Sequence, residues 1–442
     1  MTSAARTVFW KTLCFAVGLL ALAPAMATET AVGTVERSYP QITAAIPPVP
    51  SAAAAPATQP GAVATIPPTE PSAGEAILVP KPSRADPIPP AKAPAPPAAQ
   101  TVDSPPTAPE ARAGGKLLPQ PTRQPDLAPS PTPRSGATNL LEACWSPQDL
   151  RGRPGERKIR NHLTPDHRPP ELQVPQTPLS AFSRIAPLSL RSVTPTNGEK
   201  LIALTFDLCE QADEVTGYDG DLVDTLRAQG VEATFYAGGK WMRSHPERTL
   251  QLMADPRFEL GNHAWTHGNL RVLKGADLEQ QIHWTQAEYE RLRDQLLTLP
   301  CAAPLAAVEG PLIPRWPETF RFPYGTCNDD SLQAVATAGL YPVQWNIVTG
   351  DPAKGQTAAR IVKTVMSQIK PGSIVVAHGN GRGWHTAEAL KTLIPALRQQ
   401  GYRFVTVREL LQAGTPVTAA QCYEVREGDN LRYDKLFGKG TQ

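Results

Sequence analysis

The sequence has little net charge, few large apolar side chains between residues 28 and 138, and no apolar run long enough to span a membrane comfortably. Lys plus Arg (43) nearly balance Asp plus Glu (41), so the formal net charge of the 442 residues is +2. This balance gives no general basic field of the kind that attracts nucleic acid. Attraction of a substrate must therefore come from a local site.

The apolar run near the N-terminus, residues 13–23, is too short for a comfortable membrane span. Arg6 and Lys11 form a short basic region, and Ala25-Met26-Ala27 has the small-x-small form of a cleavage site. We therefore predict a signal peptide over residues 1–27 and export to the periplasm or cell envelope, or secretion. The alternative is an uncleaved signal, which would hold the chain at the membrane.

Residues 28–138 consist mainly of Ala, Pro, Thr and Ser. Burial of so few large apolar side chains cannot offset the conformational entropy lost on folding. We therefore predict a disordered linker, which its prolines keep extended. Residues 139–198 regain Leu and Trp without a clear period, which predicts an irregular extension that packs on the following domain.

From residue 199 onward, short apolar runs alternate with longer segments at helical spacing. Seven strands are predicted, at Leu201–Phe206, Ala233–Ala237, Phe258–Ala264, Thr319–Pro323, Tyr341–Ile347, Ser373–His378 and Arg403–Val407. Seven helices are predicted, at Asp219–Gln229, Lys240–Ala254, Asp277–Leu297, Asp329–Ala338, Thr357–Lys370, Thr386–Gln400 and Arg408–Ala413. Apolar strands separated by helices indicate an α/β fold with a covered parallel sheet. The pattern predicts a distorted seven-stranded (β/α) barrel over residues 199–413, with an open doubly wound sheet as the alternative.

Polar side chains stand at the ends of five of these strands. The carboxyl ends of the strands form the functional face of an α/β barrel, so these side chains are expected to converge at one mouth. They are Asp207 after the first strand, His263 and His267 at the third, Arg321 and Tyr324 at the fourth, Asp351 beyond the fifth and His378 at the sixth.

The residue types at this mouth indicate metal-assisted hydrolysis. His263 and His267, four positions apart, suit a first-row metal, most simply Zn²⁺, that takes further ligands. Asp207 can accept a proton from water, and Arg321 can pair with it. His378 can protonate a departing nitrogen. The structural alternatives are a capping carboxylate for Asp207 and a backbone-bonded imidazole for His378.

Taken together, five segments of the chain resemble the motifs of the polysaccharide deacetylase family, also called carbohydrate esterase family four or the nodulation-protein-B homology domain. The resemblance covers about residues 199–413. Its elements are Thr205-Phe206-Asp207, Gly261-Asn262-His263 with His267, Arg321-Phe322-Pro323-Tyr324-Gly325, Trp345 with Asp351, and His378. Pro352 stands where the family has a second Trp.

The resemblance implies a function and a role for each matched residue. The chain would be a hydrolase of carbon–nitrogen bonds other than peptide bonds that removes acetyl groups from an amino-sugar polymer or oligomer, similar to chitooligosaccharide or peptidoglycan. Its partner would be that acetylated glycan, and its cofactor a divalent metal, with zinc the simplest choice. The implied roles are general base for Asp207, metal ligands for His263 and His267, orientation of the base for Arg321, oxyanion binding for the Tyr324 N–H, general acid for His378, and orientation of the acid for Asp351.

One departure from the family pattern affects the metal site. The first motif of the family has a second Asp, which is a metal ligand, and here that position is Leu208. Asp207 can shift onto the metal, or a side chain of the following loop can replace the missing ligand; the loop candidates are Cys209, Glu210, Asp213 and Asp219. The alternative function is therefore a catalytically weak or inactive glycan-binding relative.

Export makes disulfides possible. Five cysteines remain after removal of a signal peptide, so at least one is unpaired within a monomer. Cys209 and Cys327 each follow a site motif, and we predict a disulfide between them, which would exclude Cys209 as a metal ligand.

Residues 414–442 are predicted to be an amphipathic tail on the barrel, although 423–431 also resemble the start of a lysin motif.

Overall fold

The computed structural model describes residues 139–176 and 185–438. The predicted signal peptide (1–27), the predicted linker (28–138) and part of the predicted extension lie outside these residues. None of the described helices is both long and apolar enough to cross a bilayer.

The described residues form ten strands and eleven α-helices, numbered in chain order. The strands are β1 (Ser189–Pro195), β2 (Leu201–Leu208), β3 (Ala233–Ala237), β4 (Phe258–Asn262), β5 (Thr319–Phe320), β6 (Tyr341–Pro342), β7 (Ile347–Val348), β8 (Ser373–His378), β9 (Arg403–Phe404) and β10 (Gly414–Ala419). The helices are α1 (Leu140–Cys144), α2 (Gly220–Ala228), α3 (Gly239–Ser244), α4 (Pro246–Ala254), α5 (Gly275–Thr298), α6 (Ala306–Glu309), α7 (Asp329–Thr337), α8 (Ala358–Gln368), α9 (Thr386–Gln399), α10 (Val407–Gln412) and α11 (Arg432–Leu436).

The central strands pair in parallel and form the predicted distorted barrel. β2 pairs with β3, β3 with β4, β4 with β5, and β5 with β6. On its other side β2 pairs with β8, which also pairs with β7. β6 and β7 are consecutive pieces of one chain segment. The pairings therefore lead from β2 through β3, β4, β5 and the β6–β7 segment to β8, which pairs with β2 again.

The structure corrects the predicted elements in several places. β1 and β10 were not predicted as strands; they pair with each other antiparallel and extend the sheet beyond β8. The predicted helix Lys240–Ala254 is two helices, since Pro246 cannot donate a backbone hydrogen bond and starts α4 instead. The predicted strand Tyr341–Ile347 is divided into β6 and β7.

Side chains of β2 alternate between two hydrophobic layers, because successive residues of a strand point to opposite faces. Ile202, Leu204, Phe206 and Leu208 belong to the large cluster that also contains the buried faces of α2 and α9. The odd-numbered residues Leu201 and Ala203 belong to a second cluster, together with side chains of β8 and α10. This alternation decides which residues at the end of β2 face the site.

The disulfides differ from the predicted pairing. Cys144 bonds to Cys301, and Cys327 bonds to Cys422 in the C-terminal tail. The prediction of a Cys209–Cys327 disulfide is wrong, because Cys209 is a buried free thiol. The tail brings Cys422 to the loop that carries Cys327.

Candidate active site

Five of the predicted site residues come from separate strands and meet at the carboxyl end of the barrel. Asp207 in β2 pairs in register with His378, the last residue of β8. His263 and Arg321 directly follow β4 and β5, and Asp351 follows β7. The parallel arrangement places all five at the same end of the sheet.

Asp207 is held by a fully buried arginine. Arg321 Nη1 donates to Asp207 Oδ1 at 2.8 Å and to the hydroxyl of Thr205 at 2.6 Å. Its Nη2 donates to the carbonyl of Gln344 at 3.1 Å, and the guanidinium lies 4.0 Å from the ring centroid of Tyr236. Each of these contacts restricts Arg321, so the carboxylate of Asp207 is fixed in one orientation.

The two motif histidines lie together beside a cysteine. The ring centroids of His263 and His267 are 4.9 Å apart. His263 Nε2 is 3.4 Å from Cys209 Sγ, and one donor atom from each of the three residues lies within 4.8 Å of the others. His263 Nδ1 is 2.8 Å from the carbonyl oxygen of Arg321, the kind of contact that fixes the orientation of a metal-binding imidazole.

The neighbouring imidazoles change the chemistry of the thiol. Burial alone would raise the pKa of Cys209, but the imidazoles of His267 and His263 lower it well below its ordinary value. Nδ1 of His267 has no hydrogen-bond partner within the described part of the chain, although the residue is only 8% exposed. A thiol and two imidazoles are the donors that zinc binds, so the residues present fit the metal that the motifs imply.

His378 lies beside this cluster at the end of β8, the strand that pairs with β2. Its Nδ1 is 2.9 Å from Asp351 Oδ1, and its backbone N–H donates to Asp351 Oδ2 at 2.8 Å. The hydroxyls of Thr349 and Thr386 also donate to this carboxylate, at 3.0 and 2.7 Å. Burial alone would lower the pKa of His378, but the Asp351 carboxylate, with a smaller contribution from Cys209, raises it well above its ordinary value.

Tyr324 forms a wall of the site and has an unusual backbone conformation. Its φ of 59° lies in the left-handed region, which is rare for a bulky side chain and is characteristic of functional loops. The ring lies 4.5 Å from that of His267 and stacks on Phe437 at 4.2 Å. Gln211 donates to its hydroxyl at 2.8 Å. The C-terminal tail therefore packs directly on a residue of the candidate site.

The other loop candidates for a metal ligand are engaged elsewhere or lie outside the cluster. Glu210 accepts from Lys240 Nζ at 2.8 Å and from the hydroxyl of Ser244 at 2.5 Å. Asp219 caps α2 by accepting from Leu222 N. Asp213 is half-buried and does not belong to the group of donors around Cys209.

Three threonines that support the site were not predicted. Thr205 contacts Arg321, while Thr349 and Thr386 hold Asp351. Thr205 belongs to the first motif, two positions before Asp207, so strand alternation places it on the same face. Thr349 directly follows β7, and Thr386 is the first residue of α9. No local sequence pattern connects these two positions.

Of Trp265, Trp345 and Trp384, which could stack on a sugar ring, the first two belong to the protein interior. Trp265 packs edge-on against Trp284, and Trp345 donates from Nε1 to the carbonyl of Glu424. Trp384 is 40% exposed, and its backbone N–H donates to the Asp351 carbonyl at 2.9 Å. Trp384 is therefore the one of these three that is available to a ligand at the mouth.

Comparisons with known proteins agree with the motifs. The family model for polysaccharide deacetylases matches residues 194–343, a range that ends before Asp351 and His378. The chain is 32% identical to a peptidoglycan-N-acetylglucosamine deacetylase of Bacillus cereus, over 49% of this chain and 90% of that protein. It is 28% identical to a chitooligosaccharide deacetylase of a Bradyrhizobium species, over 50% of this chain and 94% of that protein. It is also 28% identical to a bifunctional xylanase/deacetylase of Pseudobutyrivibrio xylanivorans, over 50% of this chain, but it spans only 32% of that longer protein.

Proposed function

Because this chain belongs to the polysaccharide deacetylase family, we propose that it removes N-acetyl groups from an amino-sugar polymer or oligomer in a metal-dependent hydrolysis that releases acetate. We further propose that the barrel of residues 199–413 is the catalytic domain and that the chain is exported through the predicted signal. Two relatives are named for peptidoglycan and for chitooligosaccharides, which supports an acetylated glycan of the cell envelope as substrate.

The observation that carries this proposal is a candidate base and a candidate acid on neighbouring strands beside one cluster of metal donors. Asp207, fixed by Arg321, lies with Oδ2 3.8 Å from His263 Nε2. His378, fixed by Asp351, pairs in register with Asp207 across two strands. A base, an acid and a group of metal donors in one place are what hydrolysis of an amide requires.

Asp207 is the proposed general base. Its Oδ1 is occupied by Arg321, whereas Oδ2 faces the imidazole of His263 and is available to accept a proton. In the proposed reaction, Asp207 takes a proton from water as the water oxygen forms a bond to the acetamide carbonyl carbon. Arg321 keeps the carboxylate aimed at that water and balances its charge.

His378 is the proposed general acid. The Asp351 carboxylate binds Nδ1, which directs Nε2 towards the substrate. The Asp351 carboxylate raises the pKa of this imidazole well above its ordinary value, which favours the protonated form that a general acid needs. The imidazole gives its proton to the nitrogen as the carbon–nitrogen bond breaks, so that acetate and the free amine leave.

The remaining roles are binding of the metal and of the carbonyl oxygen. We propose that His263 and His267 hold a divalent cation, for which zinc is the best fit to the donors. A cation held by these residues would supply Lewis acidity towards the acetamide and would increase the acidity of water. The backbone N–H of Tyr324, turned by the left-handed φ, is proposed to donate to the developing oxyanion.

A direct test is acetate release by the full chain from chitin oligomers and from peptidoglycan fragments. We expect a chelator to stop the release and Zn²⁺ to restore it. We expect His263→Ala to lose both bound metal and activity, whereas His283→Ala, a half-buried histidine on α5, keeps both. Full activity of the metal-free protein would refute the proposed mechanism.

The alternative of a catalytically inactive glycan-binding relative rests on Leu208. It predicts that the metal-loaded chain binds the oligomers but releases no acetate from them. The fixed orientations of Asp207 and His378 favour the enzyme, because binding alone needs neither a base nor an acid at these positions.

The exposed indole of Trp384 is expected to stack on a sugar ring at the mouth. We predict that Trp384→Ala raises KM roughly tenfold, equivalent to about 1.4 kcal/mol, with kcat nearly unchanged, because ring stacking contributes equally to substrate and transition state. Trp384→Phe keeps an aromatic face and should restore most of the affinity. An unchanged KM in steady-state kinetics would show that the indole does not contact the substrate.

A further inference from the structure

The end of β2 presents a cysteine where the site needs another donor. Cys209 directly follows β2, and its Sγ and Asp207 Oδ2 lie 3.4 and 3.8 Å from the same His263 Nε2, whereas the side chain of Leu208 points to the other face of the strand. Leu208 is fully buried in the large hydrophobic cluster, together with Phe206 and Leu204. A carboxylate at position 208 in this conformation would lie in that apolar layer and not beside the histidines.

The separation between the thiol and the first histidine suits a shared cation. Sγ and imidazole nitrogen ligands of a tetrahedral zinc ion lie about 3.5 Å apart, given bond lengths of about 2.3 and 2.0 Å. Cys209 Sγ is 3.4 Å from His263 Nε2, and His267 contributes a donor within 4.8 Å of both. All three residues are buried, and the backbone carbonyl of Cys209 is fixed by Thr216 and Asn380.

We propose that Cys209 is the third protein ligand of the metal, so that the chain carries a Cys-His-His site in place of the carboxylate lost at Leu208. This inference rests on the proposed function, since it assumes that His263 and His267 bind the cation. Asp207, the competing donor, is held by Arg321 at 2.8 Å and keeps its role as a base. A thiolate ligand favours zinc over oxygen-seeking cations such as Mg²⁺ or Mn²⁺.

X-ray absorption of the zinc-loaded full chain tests the ligand without any substitution. The expected result is one sulfur ligand at about 2.3 Å, with the other ligands at the shorter distances of nitrogen and oxygen, about 2.0 Å. A first shell that contains only nitrogen and oxygen would overturn the proposal.

Cobalt substitution with matched variants gives a second readout. The Co²⁺ protein should show a sulfur-to-metal charge-transfer band in the near ultraviolet, which Cys209→Ser removes. Zinc affinity of Cys209→Ser should fall by more than about 100-fold, since even loss of a supporting contact costs about 10–100-fold. Cys209→Asp should keep the metal without the band. Persistence of the band in Cys209→Ser would contradict the proposal.

These measurements test the proposal that Cys209 is a ligand independently of the proposed reaction. A cysteine-dependent band with no acetate release would support Cys209 as a ligand and reject the proposed activity. Acetate release that depends on metal, without a sulfur ligand, would support the activity and reject Cys209. Neither the X-ray absorption spectrum nor the cobalt band depends on turnover.

Discussion

Asp207→Asn is expected to lower kcat for acetate release by about 10²–10⁴-fold, because an amide cannot accept the proton that the proposed base removes from water. Asn keeps the size of the side chain and an oxygen that can accept from Arg321 Nη1. Metal content should stay at the level of the parent, since Cys209, His263 and His267 remain in place. Steady-state kinetics and metal analysis on the same preparation measure both quantities.

The matched control is Asp213→Asn, which removes a carboxylate of the same loop outside the donor cluster. Asp207→Asn also leaves the buried guanidinium of Arg321 without its paired charge, which destabilises the fold. The assay must therefore run well below the midpoint of thermal unfolding of the variant. Loss of the metal from a folded Asp207→Asn protein would instead identify Asp207 as a ligand, and near-parental activity would exclude it as the base.

The barrel could be predicted because its units are local. Each parallel strand and its helix lie within one continuous stretch of sequence, and apolar periodicity marks both. β1 and β10 escaped prediction because they pair with each other across more than 200 residues. β10 also contains Pro416, which weakens any strand signal. Pairing between distant segments is not encoded in the local period of either one.

The convergence of the site residues could be predicted for a similar reason. Residues at strand ends were expected to converge, and the structure brings Asp207, His378 and Asp351 within contact distance of their partners. The disulfide pairing was not predictable, because five cysteines admit several pairings and the tail alone determines that Cys422 reaches Cys327. The position of Cys209, two residues after Asp207 in the loop that directly follows β2, was the available signal for the alternative that it is a ligand.

Asp351→Asn is expected to lower kcat by about 10²–10⁴-fold and to move the alkaline limit of activity to lower pH. The Asp351 carboxylate raises the pKa of His378, so the imidazole stays protonated as the pH rises above the ordinary histidine range. Activity falls when the pH passes this raised pKa and the acid loses its proton. Asn removes the negative charge, so the pKa of His378 falls and the loss of activity begins at lower pH.

The hydrogen bonds to Asp351 make the effect larger than loss of charge alone. Both oxygens of Asp351 accept hydrogen bonds, from the His378 ring and backbone and from two threonines. An Asn has one acceptor oxygen, so its NH₂ group must face one of these donors, and the imidazole loses its fixed orientation. Asp330→Asn, an exposed carboxylate in the first turn of α7, should change neither kcat nor the pH profile. An unchanged alkaline limit in Asp351→Asn would show that His378 is not the acid that this carboxylate supports.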